Sequence, residues 1–213
     1  MRNGRAISAI DLISRWILNL TMINFMWFLF LFSGLFIFGF FPATVAALGV
    51  SRKLILANGQ KDIWLWKTFK DMYKKAFVFA NLTGWAVLAI GMVLYINFRL
   101  IESAQNEMYF FIPFAFYFVA FVYLIMVIWL FPLYIHYEAT WKQHIKNALI
   151  FGIGKIHYTM TIIIFVSAVV YLSLEFPSLI VFFSIGLTST LVMWVMLSAF
   201  RKIDKLLVAS HNN

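Results

Sequence analysis

Apolar side chains fill this chain in long blocks, and the blocks do not alternate with polar positions as strands would. Counting histidine as neutral, charge-free runs extend from Trp16 to Ser51, Ala76 to Phe98, Met108 to Tyr137, Ile156 to Leu174 and Phe176 to Phe200. About 20 apolar residues in a helix cross a hydrocarbon core about 30 Å thick, so every run reaches or approaches that length. In lipid the backbone must satisfy its own N–H and C=O groups, which selects helices. A membrane β-barrel would instead alternate over segments of about ten residues, and "FIPFAFYFVAFVYLIMVIWLF" does not. The expected fold is all-α: a polytopic helical membrane protein with an N-terminal helical hairpin, or a kinked or re-entrant helix, followed by four transmembrane helices. A secretory signal has an apolar core of about 7–15 residues. The first run is longer and leads into basic residues, so it is expected to stay in the mature protein.

The first run holds the main ambiguity. Trp16 to Ser33 and Leu35 to Ser51 would make helices of about 27 and 25 Å, two thin spans if Arg15, Arg52 and Lys53 snorkel. Gly34 and Gly39 permit a turn between Ser33 and Phe41, Pro42 suits the first turn of a new helix, and Asn58 with Gly59 makes a C-terminal cap. A half-depth return starting at Pro42 fits the same pattern, and so five or six helices remain open here.

Charge separates the topologies. The chain carries 17 Lys and Arg against 8 Asp and Glu, and cations gather on the cytoplasmic side of membrane proteins. If the first run crosses once with the N-terminus outside, 13 cations lie inside and 4 outside; if it returns, 16 lie inside and only Arg99 outside. The return is the cleaner solution and puts both termini in the cytoplasm. The single membrane domain then divides into a hairpin (1–59), a cytoplasmic amphipathic basic helix (60–75), a four-helix transmembrane bundle (76–200) and a cytoplasmic tail (201–213). Only "EFP", Glu175 to Pro177, separates the last two runs, which predicts antiparallel neighbours.

Composition agrees: 64% of residues are hydrophobic, 12% are charged and the mean hydropathy is +0.91, against about 45–50% and about 25% in soluble domains. The net charge of +9 belongs to solvated loops, and no soluble domain is left to grip nucleic acid. In "DIWLWKTFKDMYKKAF", Ile63, Trp66, Phe69, Tyr73 and Phe77 share one helical side, with Lys67, Asp71 and Lys75 away from it and Lys70 and Lys74 at its edge. Such a helix lies on an anionic inner leaflet or docks a partner. Its candidate contact residues are Trp66, Lys67, Phe69, Lys70, Tyr73, Lys74 and Lys75. The first 17 residues repeat the pattern faintly through Ile7, Ile10, Ile13 and Ile17.

Candidate chemistry is sparse. The run interiors hold no Asp, Glu, Lys or Arg, and their polar content is Asn19, Asn24, Asn81, Thr83, Asn97 and a group of Ser184, Thr188, Ser189 and Thr190 beside Gly186. That last group makes either a close helix contact or a polar path. His136, His144, His157 and His211 lack metal-ligand spacing, with His136 read as interfacial near Glu138, and there is no cysteine. Tyr109, Tyr134, Tyr137 and Trp141 are candidate interfacial anchors. No enzyme activity, cofactor or metal is expected.

The stretch "LNLTMINFMWFLFLFSGLFIFGFFPATVAALGVSRKLILANGQKDIWLWKTFKDMYKKAF" resembles the N-terminal signature of the YesL-like bacterial membrane proteins, a family defined by a domain of unknown function. Gly39, Pro42, Ala43, Thr44, Ala47 and Leu48 carry the likeness, and Trp66, Phe69 and Lys74 to Phe77 extend it. The resemblance implies a multi-pass protein of the bacterial cell membrane. Members of that family lie among genes for glycan uptake and breakdown, often beside ABC sugar permeases, which implies an accessory role in carbohydrate uptake with permease subunits as partners. "EATWKQHIKN" from Glu138 lacks the coupling-loop pattern of such permeases, so the chain is not expected to be the permease. The competing expectation is a small homo-oligomeric transporter or channel.

Overall fold

The computed structural model describes residues 2–59, 64–103 and 111–211, with side chains at 10–59, 64–102 and 112–204. Residues 60–63, Met108 and Tyr109, and the side chains of Arg2, Arg5, Ile7, Lys205 and His211, which the sequence reading uses, lie outside the described residues. Among the described residues there are eight helices and no strand: α1 (Arg2–Ser33), α2 (Phe40–Leu56), α3 (Leu65–Ser103), α4 (Phe111–His136), α5 (Trp141–Gly154), α6 (Ile156–Glu175), α7 (Ser178–Phe182) and α8 (Ser184–His211). Five stretches are long and apolar enough to cross a membrane: Ile10–Ser33, Leu65–Glu102, Ile112–His136, Ile156–Glu175 and Ser184–Asp204.

α2, at 17 residues, is the returning leg of the hairpin. It is also the hub of the fold, packed against α1, α3, α4 and α8. Ala43, Ala46 and Ala47 are fully buried, and their small side chains let the neighbouring helices close in. Pro42 lies in the first turn of α2, where a missing N–H costs nothing. At the other end Asn58 takes φ 51°, and the Asn58 and Gly59 N–H groups donate to the Ile55 and Leu54 carbonyls at 3.2 and 2.9 Å. That is a Schellman cap.

The hairpin turn works differently from expectation. Its left-handed residues are Leu35 and Phe36, with φ of 52° and 62°, not the two glycines. Gly34 and Gly39 are needed for contact: a Cβ on Gly39 would collide with the Leu31 carbonyl, and one on Gly34 with Gly39 itself. The turn rests on the first half of α3. Asn81 Nδ2 donates to the Phe38 carbonyl at 3.0 Å, and the Phe41 ring occupies the space where a Gly84 side chain would be. From Gly84, α3 continues to Ser103, about 28 Å further. The hairpin therefore turns beside the middle of α3.

Two expectations are corrected. The amphipathic segment is not a separate helix lying across the headgroups: Leu65–Ser103 is one helix of 39 residues, about 58 Å long. Phe69 and Tyr73 are buried, not laid on lipid, because the Phe30 ring of α1 packs against both, with centroids at 5.0 and 4.9 Å. The connection after α6 is not the three-residue "EFP" turn, and Phe176 to Phe200 is not one span. α7 intervenes, and the helix breaks at Phe183. Asn24 of α1, fully buried, occupies that break. Its Nδ2 donates to the Ile180 and Val181 carbonyls at 3.1 and 2.5 Å, and its Oδ1 accepts the Ile185 N–H at 2.8 Å.

Candidate functional site at the corner between α4 and α5

α4 ends at His136, and four residues later α5 begins behind Thr140. The Thr140 N–H donates to Gln143 Oε1 at 2.8 Å, one arm of a capping box that fixes where α5 starts. His144 is thereby placed in the second turn of α5 and turned inward, only 2% exposed. Phe79 of α3 stacks on Tyr134 of α4 with centroids 3.9 Å apart and planes 7° apart. The imidazole of His144 meets both rings edge-on. Next to this cluster lies a cavity of about 290 Å³, lined by apolar Val45, Met72, Ala76 and Ile135 and by polar Lys75, Tyr134, Tyr137, Glu138 and His144.

Burial drives the His144 pKa below its ordinary value, against a smaller upward pull from the Ala139 carbonyl, so the ring is neutral near pH 7. A neutral imidazole has one donor and one acceptor nitrogen. Its buried Nδ1 has no hydrogen-bond partner among the described residues.

A second polar cluster adjoins the cavity through Tyr137. Arg52 Nε donates to His136 Nδ1 at 3.2 Å; since Arg52 only donates, the His136 proton sits on Nε2, 3.8 Å from Asp204. Tyr137 donates to Asp204 Oδ1 at 2.7 Å, and burial with that carboxylate pushes its pKa up. His136 stacks on Phe200. Together these contacts pin the ends of α2, α4 and α8. His136 thus has Arg52 and Asp204 as its polar partners. The signal that could have found the cluster is weak, one ionisable residue at the end of each run.

The residues singled out in the sequence fall into three places. Gly39, Pro42, Ala43, Thr44, Ala47 and Leu48 all belong to the hub: Thr44 accepts from Trp27 Nε1 at 3.1 Å, and Leu48 joins the core of α4 and α8. In the basic segment Phe69 and Tyr73 are buried, Trp66, Lys67, Lys70 and Lys74 are exposed, and Lys75 reaches the cavity. The hydroxyl group lies elsewhere. Ser184 bonds Ser173 at 2.6 Å, Ser189 and Thr190 meet the buried Ser51 at 3.0 and 3.1 Å, and Gly186 abuts the Leu20 carbonyl. Thr188, half-buried, stands beside them. A cavity of only about 20 Å³ adjoins Ser173 and Ser184, room for about one water. Trp141 and Tyr137, expected as anchors, each donate to a side chain of another helix, Trp141 Nε1 to Thr83 Oγ1 at 3.1 Å and the Tyr137 hydroxyl to Asp204.

Five long apolar helices around a short buried return define a multi-pass helical membrane protein. The chain belongs to the family described as "Protein of unknown function, DUF624", whose profile matches residues 20–98. That match covers the second part of α1, all of α2 and most of α3. The chain is similar to three proteins of Bacillus subtilis (strain 168), each named as uncharacterized. It is 31% identical to YesV over 88% of this chain and 89% of YesV. It is 30% identical to YteU over 89% of this chain and 84% of YteU. It is 24% identical to YesL over 89% of this chain and 88% of YesL. No solved structure matches the chain.

Proposed function

We propose that the protein is a non-enzymatic accessory component of an ABC-type carbohydrate importer in a bacterial cell membrane, docking on a permease subunit, with both termini cytoplasmic. The observation that carries the reading is the projecting start of α3. The helix is about 58 Å long against a hydrocarbon core of about 30 Å, longer than a crossing needs, and our reading sets its start beyond the bilayer. There Trp64 is 80% exposed and Trp66 52%, beside Lys67, Lys70 and Lys74. Tryptophans left open on a ridge already braced from behind by Phe30 have the character of interface anchors. An anionic inner leaflet suits the lysines of the same ridge. The link to carbohydrate rests on the family resemblance alone.

A photo-crosslinker at Trp66 in native membranes tests this. Capture of a sugar permease subunit, with sugar uptake impaired on deletion, is the expected result. Capture of lipid only, with unchanged uptake, would contradict it.

A homo-oligomeric transporter or channel is the second reading. It is favoured by the helix break at Phe183, since discontinuous helices often line transport sites. Against it, the hydroxyls of Ser51, Ser189 and Thr190 are spent on one another. Flux through reconstituted vesicles that falls in Thr188→Ala with Ser189→Ala would support this reading over the first.

A further inference from the structure

Where α2, α4 and α8 meet, the partners of His136 define its protonation state. Arg52 can only donate, and its Nε lies 3.2 Å from His136 Nδ1, so in this arrangement Nδ1 is a bare acceptor and the ring is neutral. The one ring proton faces Asp204 Oδ2 from Nε2, at 3.8 Å. The other carboxylate oxygen, Oδ1, accepts the Tyr137 hydroxyl at 2.7 Å. Phe200 of α8 stacks on the imidazole with centroids 4.4 Å apart and braces it between the two. The charges acting on the ring are thus Arg52 from α2 and Asp204 from α8. α4 itself adds Tyr137, α5 brings the apolar Phe151 ring against Tyr137, and Lys75 and Glu138 belong to the lining of the adjoining cavity.

We propose that His136 is a proton-operated latch: neutral, it ties α2 to α4 through Arg52; protonated, it releases Arg52 and pairs with Asp204 instead. The donor count forces the exchange. A proton added at Nδ1 removes the acceptor that Arg52 uses and sets two cations side by side, which repel. The same proton makes the contact from Nε2 to Asp204 a charge-assisted one, and Oδ2 is the oxygen that Tyr137 leaves to it. What moves is the hub of the fold. Arg52 follows directly on Ser51, whose hydroxyl meets Ser189 at 3.0 Å and Thr190 at 3.1 Å, so release at Arg52 acts at once on the contact between α2 and α8. Histidine suits such a sensor because its charge changes within the range of cellular pH. This inference does not depend on the importer reading.

Spin labels at Lys53→Cys and Arg201→Cys, two exposed positions in a chain without native cysteine, report the separation of α2 and α8 in the full chain in nanodiscs by pulsed electron resonance. Between pH 8 and pH 5 a second distance population should grow, by up to about tenfold per pH unit, the limit for one coupled proton. His136→Asn keeps an acceptor near the Nδ1 position and does not titrate, so it should hold the pH 8 distance throughout. Asp204→Asn removes the carboxylate that receives the protonated ring and should move the midpoint to lower pH. Nitrogen NMR of labelled histidine, with His136 assigned by its loss in His136→Asn, should find Nδ1 unprotonated in the first population and protonated in the second. A separation that stays fixed while His136 takes up its proton would overturn the latch, as would a ring still neutral at pH 5. The same movement persisting in His136→Asn would also overturn it, by giving the response to another group such as His144.

Discussion

Asn24 and Ile185, 161 residues apart in sequence, are joined by a hydrogen bond of 2.8 Å from the Ile185 N–H to Asn24 Oδ1. The same amide caps the carbonyl end of α7 through Ile180 and Val181. One side chain from α1 thus satisfies both faces of a break that lipid would leave unpaired. Asn24→Leu should destabilise the protein by on the order of 3 kcal/mol, since it strands several backbone groups. Equilibrium unfolding in detergent or nanodiscs checks this; a loss under about 0.5 kcal/mol would mean that the break is stable without its clasp.

At Gly186 α8 lies close against the backbone of α1. A methyl there would strike the Leu20 carbonyl, whereas Gly154 has open space around its Cβ position. Gly186→Ala should cost about 1–3 kcal/mol by forcing the helices apart. Gly154→Ala should be neutral or stabilising by up to about 1 kcal/mol. The two thermal melts, run side by side, separate contact from a general intolerance of change.

At the hairpin turn, Leu35 and Phe36 hold left-handed backbone angles that cost an L-residue roughly 1–2 kcal/mol. Leu35 is 77% exposed, so Leu35→Gly gives up little packing. It should raise the melting temperature, and a lower one would show that Leu35 makes contacts worth more than its strain.

His144 gives stability a pH dependence. Its folded pKa lies below the unfolded value near 6.5, so the unfolded chain binds the extra proton first. Its contribution is complete above about pH 6.5 and fades as the pH falls through the folded pKa. Melting temperatures between pH 7.5 and pH 5 should drop more in the native protein than in His144→Phe; parallel curves would remove His144 as the cause.

Much of this arrangement was legible in the residue pattern. Five apolar runs of spanning length became five long helices, because backbone pairing in lipid leaves few alternatives. Pro42 and the Asn58-Gly59 pair marked both ends of α2. What stayed hidden depends on neighbours distant in sequence. No glycine or proline stands at Phe183, so the break there arises from a side chain contributed by α1. The apolar stripe through Phe69 and Tyr73 is the same whether lipid or Phe30 covers it, and only the fold decides. Lys75, Glu138 and His144 come from three separate elements, and nothing in their local spacing announces that they line one cavity.

The central claim is that the first long run turns back, so that the segments on either side of α1 and α2 face the same compartment. With no native cysteine in the chain, single cysteines at Asn3, Lys67 and Glu175 can be probed with an impermeant thiol reagent on intact cells. The account predicts labelling at Glu175→Cys and protection at both Asn3→Cys and Lys67→Cys until the membrane is opened. Labelling of Asn3→Cys with Lys67→Cys still protected would show that the run crosses once, and would contradict it.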